Sequence, residues 1–454
     1  MKLQPGQTIR QAMLDGPIVP VMLKLAGPST VVLLVQSLVA VIETIFIGRI
    51  GTEALAGAAL VFPVLGLMIM MSNGGIGGGV AAAVARAIGG GRREDADALL
   101  WHSLVLAVLF GVAFTVLVLV YGPPLYGALG GDGPALDAAL AYSTWVFAFS
   151  VPVWAVNLIA AALRGAGNVS LPARVSTIGG VITAFVSPAL ILGLGPGYRF
   201  GIAGAGIALG LYYTGALIVL LIKLREGHAG LHLRPVRLQM RLMRDILRVG
   251  LISALSTLQN NVANVALTGA AGLFGAASLA GFGVALRLEL LLLPILFGLG
   301  SALVAMVGTN VGAGQVLRAR RVAWNGAMLG GGFCAVIGLI VSVAPQFAWV
   351  RMFSDDPEVL ATGAAYLSRV GPFYVAFGVG MEIYFASQGA GATLTLFLAG
   401  TVRLVIAAVG GWYAIVILDL GPVALYWMIA AGMTAFGFIC MAALDHPQWG
   451  RRPM

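Results

Sequence analysis

The feature that most restricts this chain is a succession of long apolar runs, most of 20 residues or more, separated by short breaks of Gly, Pro and charge. A run of that length matches the ~30 Å of hydrocarbon in a bilayer. In hydrocarbon a helix satisfies the backbone polar groups of such a run within the run itself. The runs lie near Ile18–Ile47, Ala54–Ala87, Ala98–Tyr121, Leu136–Leu163, Leu171–Leu194 and Gly201–Leu224. Six more lie near Leu247–Ala271, Ala276–Val311, Val322–Val343, Leu360–Ser387, Leu394–Leu418 and Val423–Leu444. An all-α polytopic membrane protein of 12 transmembrane helices is therefore predicted. Composition excludes a water-soluble surface: only 9% of the 454 residues are charged and 60% are hydrophobic, with mean hydropathy +0.99, against roughly 25% charged in a soluble domain. The first run is too long for a signal-peptide core and precedes no small-residue cleavage site, so it is expected to remain as helix one.

A net charge of +9 in a soluble protein would point to nucleic acid. Here the basic residues have to be read by topology, and no nucleic-acid partner is expected. The tails and even-numbered connections hold Lys2, Arg10, Lys24, Arg86, Arg92, Arg93, Arg164, Arg174, the basic stretch from Lys223 to Arg248, Arg318, Arg320, Arg321, Arg451 and Arg452. The odd connections hold little beyond Arg49, Arg199 and Arg351, beside Asp132, Asp355, Asp356 and Asp419. The positive-inside rule then places both termini in the cytoplasm and the chain in the cell (inner or plasma) membrane. The alternation also requires an even number of spans.

The longest polar stretch, Arg225 to Asp245, lies at mid-chain. A shift of about 224 residues lays Ala54-Leu55-Ala56-Gly57 on Ser278-Leu279-Ala280-Gly281 and Gly165-Ala166-Gly167 on Gly389-Ala390-Gly391, and a shift of 223 lays Gly89-Gly90-Gly91 on Gly312-Ala313-Gly314. Self-similarity in one register at three places indicates duplication. The expected domains are an N-lobe of residues 1–224, a cytoplasmic linker of 225–245 and a C-lobe of 246–454. With an even number of spans in each half, the two six-helix lobes run parallel, related by a pseudo-two-fold axis along the membrane normal, and the default mechanism is rocking of two lobes.

ATP is excluded as a power source by residue type. A phosphate-binding loop needs Lys after Gly, and the only lysines, Lys2, Lys24 and Lys223, do not follow glycine. Gly74 to Gly79 lies inside an apolar run, where small residues serve close helix packing. Uphill movement must then draw on an ion gradient, which requires an ionisable group inside the membrane. Glu43, late in helix one, is the leading candidate: a carboxyl withdrawn from water can take a proton, and its charged form can hold Na⁺ or a cationic substrate. Arg287 and Glu289 in helix eight, Glu382 in helix ten and Arg403 in helix eleven form a C-lobe polar set. Arg287 and Glu289 are two apart and do not face each other, whereas Glu382 lies at a depth where it can meet Arg403.

Amides and hydroxyls inside the runs include Gln36, Asn73, Asn157, Thr183, Ser187, Gln259, Asn260, Asn261 and Asn264. Of these, Gln36 and Asn260 fall at matching repeat positions, and together with Asn73, Asn157 and Asn264 they are the expected substrate-lining residues. His102 is read as a satisfied packing residue. His228, His232 and His446 lack partners at metal-ligand spacing, so neither metal nor cofactor is expected. Cys334 and Cys440 sit in apolar runs and suggest no disulfide. Met68, Met70 and Met71 are read as packing rather than as a permissive drug cavity.

Four stretches, ETIFIGRIGTEALAG from Glu43, ARAIGGGRREDA from Ala85, LRGAGN from Leu163 and VGTNVGAGQVLRARR from Val307, resemble the MATE (multidrug and toxic compound extrusion) family, and with the two-times-six layout the likeness covers nearly the whole chain. The resemblance implies a carrier that opens alternately inward and outward and exports amphipathic organic cations in exchange for H⁺ or Na⁺, with no chemistry catalysed. Glu43 stands where the family usually has aspartate, and the resemblance makes it the ion site. Thr183 and Ser187 stand where many prokaryotic relatives carry Asn and Asp in helix five. Asn260 replaces the helix-seven glutamate of the Na⁺-coupled branch, whose helix-ten aspartate has no match. Protons are therefore the expected coupling ion. Arg287-x-Glu289 resembles an Arg-x-Glu of some bacterial relatives.

Two other readings compete. A lipid-linked oligosaccharide flippase shares the architecture but needs several inner cations for a pyrophosphate, and only Arg287, Arg369 and Arg403 are placed to serve. A receptor or scaffold would carry a sizeable soluble domain or a long tail. The expected partners are small organic cations, the coupling ion and the lipid bilayer, with the chain acting as a monomer and not as an enzyme.

Overall fold

The computed structural model describes residues 8–193, 199–227, 230–447 and 449–450. Lys2, Leu194, His228, Arg451 and Arg452 lie outside the described residues. A short helix α1 (Ile9–Asp15) is closed by a capping box between Thr8 and Gln11. The first half of the sequence then forms α2 (Ile18–Gly48), α3 (Thr52–Met70) continued through a π turn (Met71–Gly75) into α4 (Ile76–Gly89), α5 (Arg93–Ala128), α6 (Gly133–Ala148), α7 (Ser150–Gly165), α8 (Ser170–Leu192) and α9 (Ile202–Arg225). The second half forms α10 (Met240–Gly272), α11 (Ala276–Gly312), α12 (Val316–Val343), a short α13 (Pro345–Ala348), α14 (Pro357–Val370), α15 (Tyr374–Ala390), α16 (Leu394–Leu404) with π turns to Ile417, and α17 (Pro422–Asp445). Among the described residues there is no β-strand.

Among the described residues nine helices are each long and apolar enough to cross a membrane, and the pair α6 and α7, bent by 50°, makes a tenth when counted as one broken span. The other two predicted spans are α10 and the pair α14–α15. The first turns of α10 carry Arg241, Arg244, Asp245 and Arg248, and its apolar part is diluted by Gln259, Asn260, Asn261 and Asn264. Helices α14 and α15 are separated by a 3-10 turn at Gly371–Phe373, so neither reaches 18 residues alone. Pro372 accounts for that break, because it lacks an N–H and crowds the preceding turn. Helix α10 starts at Met240, earlier than the sequence suggested, so the polar stretch between spans runs only from Glu226 to Gln239. Leu242, Ile246 and Val249 explain the extension: they are buried at helical spacing between the arginines.

The duplication read from the sequence recurs in the backbone and in the packing. Gly51 and Gly275 precede α3 and α11 with φ of +154° and +97°. Gly91 and Gly314 (+73° and +81°) and Gly167 and Gly391 (+85° and +79°) end equivalent helices in the left-handed region that glycine enters without strain. Gly57 lies against Ala138 and Ala139, and Gly281 against Thr362 and Gly363. Gly165 meets the backbone of Ala81, and Gly389 that of Val304. Each contact has its copy 223 to 224 residues on, and none has room for a Cβ. Close backbone approach through small residues is the usual means of helix association in lipid, where apolar burial gives no net drive.

By contact the chain divides into one compact unit of Pro28–Gly250 and another of Met1–Gly27 with Leu251–Met454. This partition differs from that of the repeat. In the first unit α3 packs on α6, α5 on α7, and α8 on α9. In the second, α15 is central and packs on α11, α12 and α17. Outer faces carry large exposed apolar side chains, such as Leu109, Phe185, Val265 and Phe438, as expected of surfaces solvated by lipid.

The packing gives a direct test. Gly57→Leu and Gly281→Leu should each destabilise the fold by about 1–3 kcal/mol through overpacking. Gly66→Ala, where a Cβ meets nothing within 4 Å, should leave the melting temperature in detergent unchanged or raised.

Candidate functional site

Glu43 lies in the last two turns of α2 and is 9% exposed. The Oγ of Ser187, itself 1% exposed on α8, donates to Glu43 Oε1 at 3.1 Å. Ser187 sits one residue before Pro188, within the final turns of its helix. Thr183 lies one turn earlier on the same face of α8 and is buried, but its hydroxyl bonds to the carbonyl of Gly179 at 2.8 Å. The structure thus joins Glu43 to Ser187 and turns Thr183 to its own backbone. A fully buried tyrosine, Tyr142 on α6, lies close enough to Glu43 to interact electrostatically. Sequence reading passed over it because an aromatic in a helical run is usually core.

The other N-terminal candidates belong to a second polar group. Asn157, 4% exposed on α7, donates to Ser72 Oγ at 2.8 Å and also bonds to Tyr213. Ser72 falls in the π turn between α3 and α4, where one extra residue per turn re-aims a side chain. Asn73, next in that turn, accepts from Arg164 at 3.2 Å. Gln36 is half-buried and bonds to Tyr212, which also bonds to Ser176. The signal for Ser72 and Asn73 was present in the sequence as polar residues beside Gly74 and Gly75, but the π turn that aims them was not.

In the second unit Glu289, half-buried on α11, accepts a short hydrogen bond from Tyr366 of α14. Arg403 on α16 interacts electrostatically with Glu289, and its guanidinium stacks over Phe377 at 4.9 Å and Phe436 at 6.0 Å. Tyr366 is the repeat counterpart of Tyr142, so each unit sets a buried tyrosine beside an acid. Arg287 faces elsewhere, over Phe353 at 5.6 Å, as two-residue spacing requires. The expected meeting of Glu382 with Arg403 does not occur. Glu382 is completely buried on α15 against Gly330 of α12, and neither carboxylate oxygen has a hydrogen-bond partner among the described residues. The two side chains are directed to different neighbours, Glu382 to Gly330 and Arg403 to Glu289, Phe377 and Phe436. Asn260 is exposed and Asn264 half-buried on α10. His102 is satisfied: Gln239 N–H donates to its Nε2 at 2.8 Å, so Nδ1 carries the proton and donates to Ala98 O at 2.7 Å.

Twelve spans in two repeated sets of six, with acids and amides held inside, define a multi-pass membrane protein built as secondary carriers are. The MatE family pattern matches residues 28–189 and 253–413, one match in each repeat, and the chain belongs to that family. It is 28% identical over 79% of its length to a protein of Shewanella oneidensis named FAD transporter, covering 79% of that protein. A "Probable multidrug resistance protein NorM" of Deinococcus radiodurans is 28% identical, with 92% of both chains covered. Among solved structures, a MOP superfamily transporter from Pyrococcus furiosus, described as having a binding pocket of reverse polarity, superposes with TM-score 0.85 at 25% identity, over 96% of this chain and 98% of that one.

Tyr366→Phe removes a donor to Glu289 and leaves a half-buried acceptor short of a partner. It should lower stability by about 1–3 kcal/mol, read as a fall in melting temperature of the purified protein, whereas Tyr413→Phe, at a half-exposed position on the last span before α17, should not.

Proposed function

We propose that this chain is a secondary efflux carrier, exporting amphipathic organic cations by antiport with H⁺, or with Na⁺, through rocker-switch alternating access. The reading rests on one observation, a sheltered carboxyl at Glu43 whose bonded partner is the Ser187 hydroxyl. A hydroxyl both donates and accepts, so it can accompany the carboxyl in either protonation state. Protons are favoured over Na⁺ because one carboxyl and one hydroxyl offer fewer oxygen ligands than a hard cation takes. The multidrug names of the NorM relatives support drug efflux as the physiological task.

In this reading Gln36, Asn73, Asn157, Asn260 and Asn264 meet substrate, Thr183 assists the Glu43 site, and Arg287, Glu289, Glu382 and Arg403 form the C-lobe polar site. The lobes are 1–224 and 246–454 with 225–245 between them. Both termini face the cytoplasm of the cell membrane, and the working unit is a monomer.

The test uses reconstituted vesicles under an imposed pH or Na⁺ gradient and follows a fluorescent organic cation. Glu43→Gln should abolish gradient-driven flux while leaving the protein folded, and only the pH gradient should drive the wild type. Undiminished flux in Glu43→Gln would remove Glu43 from the mechanism. A parallel arm loads FAD, the solute in the name of the Shewanella relative. Gradient-driven FAD flux without cation flux would replace the substrate class.

A further inference from the structure

The connection between α9 and α10 joins two spanning helices, so both its ends are held at one bilayer surface. One side of it is fastened to the helices around it. Leu231, Leu242 and Ile246 are buried. His232 N–H donates to Asp97 at 2.8 Å, Gln239 N–H to His102 at 2.8 Å, and Arg241 bonds to Asp95 through both terminal nitrogens, at 2.7 and 3.2 Å. Arg86 pairs with Asp245 at 2.8 Å. A loop serving only to join two helices needs no such anchorage.

The other side carries charge that no acid pairs with among the described residues. Arg234, Arg237, Arg244 and Arg248 are exposed, and none has an ion-pair partner among the described residues. The acids that touch this connection are already engaged, Asp95 by Arg241 and Arg92, Asp97 by His232 and Asp245 by Arg86. Interleaved with these arginines are apolar side chains that face outward: Val236 is 37% exposed, Leu238 57% and Met240 78%. Exposed apolar groups between free cations, fixed at the level of the headgroups, form the pattern of an interfacial segment, whose apolar members enter the acyl boundary while its cations meet anionic lipid.

We propose that residues 232–248 form a docking strip for anionic phospholipid headgroups, with Arg234, Arg237, Arg244 and Arg248 binding phosphate and Val236, Leu238 and Met240 entering the interface. Arginine suits this role, because its planar fork pairs with two phosphate oxygens at once. The fastened side holds the strip in register with the surface. The strip's function does not depend on which solute or ion the protein carries.

The purified full-length protein, incubated with dioleoylphosphatidylglycerol or dioleoylphosphatidylcholine in detergent, is read by native mass spectrometry for retained lipid. Wild type should retain the anionic lipid in preference to the zwitterionic one. R234Q/R237Q/R244Q/R248Q should lose about tenfold or more of that retention, and the matching four-lysine variant should keep most of it, since each surface cation contributes comparably. V236S/L238S/M240S should weaken retention without altering the net charge, and R199Q, outside the strip, should change nothing. Excess inorganic phosphate should not displace the lipid. Equal retention of both lipids by wild type, full retention by a folded four-glutamine variant, or displacement by phosphate would each overturn the proposal. A two-chain mass lost in that variant would assign the surface to self-association and overturn it as well. Should the four-glutamine variant fail to fold, the serine variant decides: unchanged retention there rejects the strip.

Discussion

Hydrocarbon offers no hydrogen bonds, so a polar group inside a spanning helix of this protein finds its partner within the protein or, like Glu382, goes without one among the described residues. That constraint sets the helices first. It then sorts the side chains: Ser37, Thr44, Ser103, Thr144 and Ser256 spend their hydroxyls on carbonyls of their own helices, three or four residues back. Polar groups that instead reach across to another helix stand out against this background. Glu43 to Ser187, Asn157 to Ser72, Gln259 to Thr401 and Gln388 to Ser253 are among the bonds that fix one helix relative to another. Functional candidates and structural glue are made of the same bonds, and an ionisable atom is needed for the first without excluding the second.

Glycine supplies the second ordering principle. With no solvent drive pressing apolar helices together, contact energy comes from backbone approach, and the Gly57, Gly165, Gly281 and Gly389 contacts recur at one repeat spacing. The duplication is therefore physical as well as historical: each half closes on the same small-residue contacts, and each half places a tyrosine, Tyr142 or Tyr366, beside its acid. The polar chemistry has diverged on this common frame. Glu43 comes from the first helix of its half, Glu289 from the second, and Arg403 has no counterpart in the first half.

The spans and the repeat were legible because hydrophobic run length and glycine spacing are properties of the chain alone. Ends and breaks were less so. Helix α10 was begun late because its arginines mask the buried Leu242, Ile246 and Val249, and the π turn at Met71–Gly75 leaves no compositional mark. Partners were the least legible. Sequence depth brought Glu382 level with Arg403, yet a helix position fixes height far better than azimuth, and the arginine faces Glu289 and two aromatic rings. His102 looked like simple packing, and its bond to Gln239, 137 residues away, shows that it also anchors the connection between the repeats.

The buried acids Glu43 and Glu382 and the half-buried Glu289 differ in what surrounds them, and the difference bears on which can exchange an ion. Glu382 is fully buried, with no donor at either oxygen among the described residues; an ion reaching it would have to pass through packed side chains. Glu289 is held by Tyr366 and faces Arg403, a group that only donates and cannot be given up when the carboxyl changes state. Glu43 has the Ser187 hydroxyl, near a helix end and beside a proline, where the backbone ladder is already interrupted. A partner that can reverse its hydrogen bond, on a segment that can yield, is what an exchange site needs. By that criterion the proposed antiport would place its ion at the first-half acid, while the second-half pair has the geometry of a contact that holds helices together.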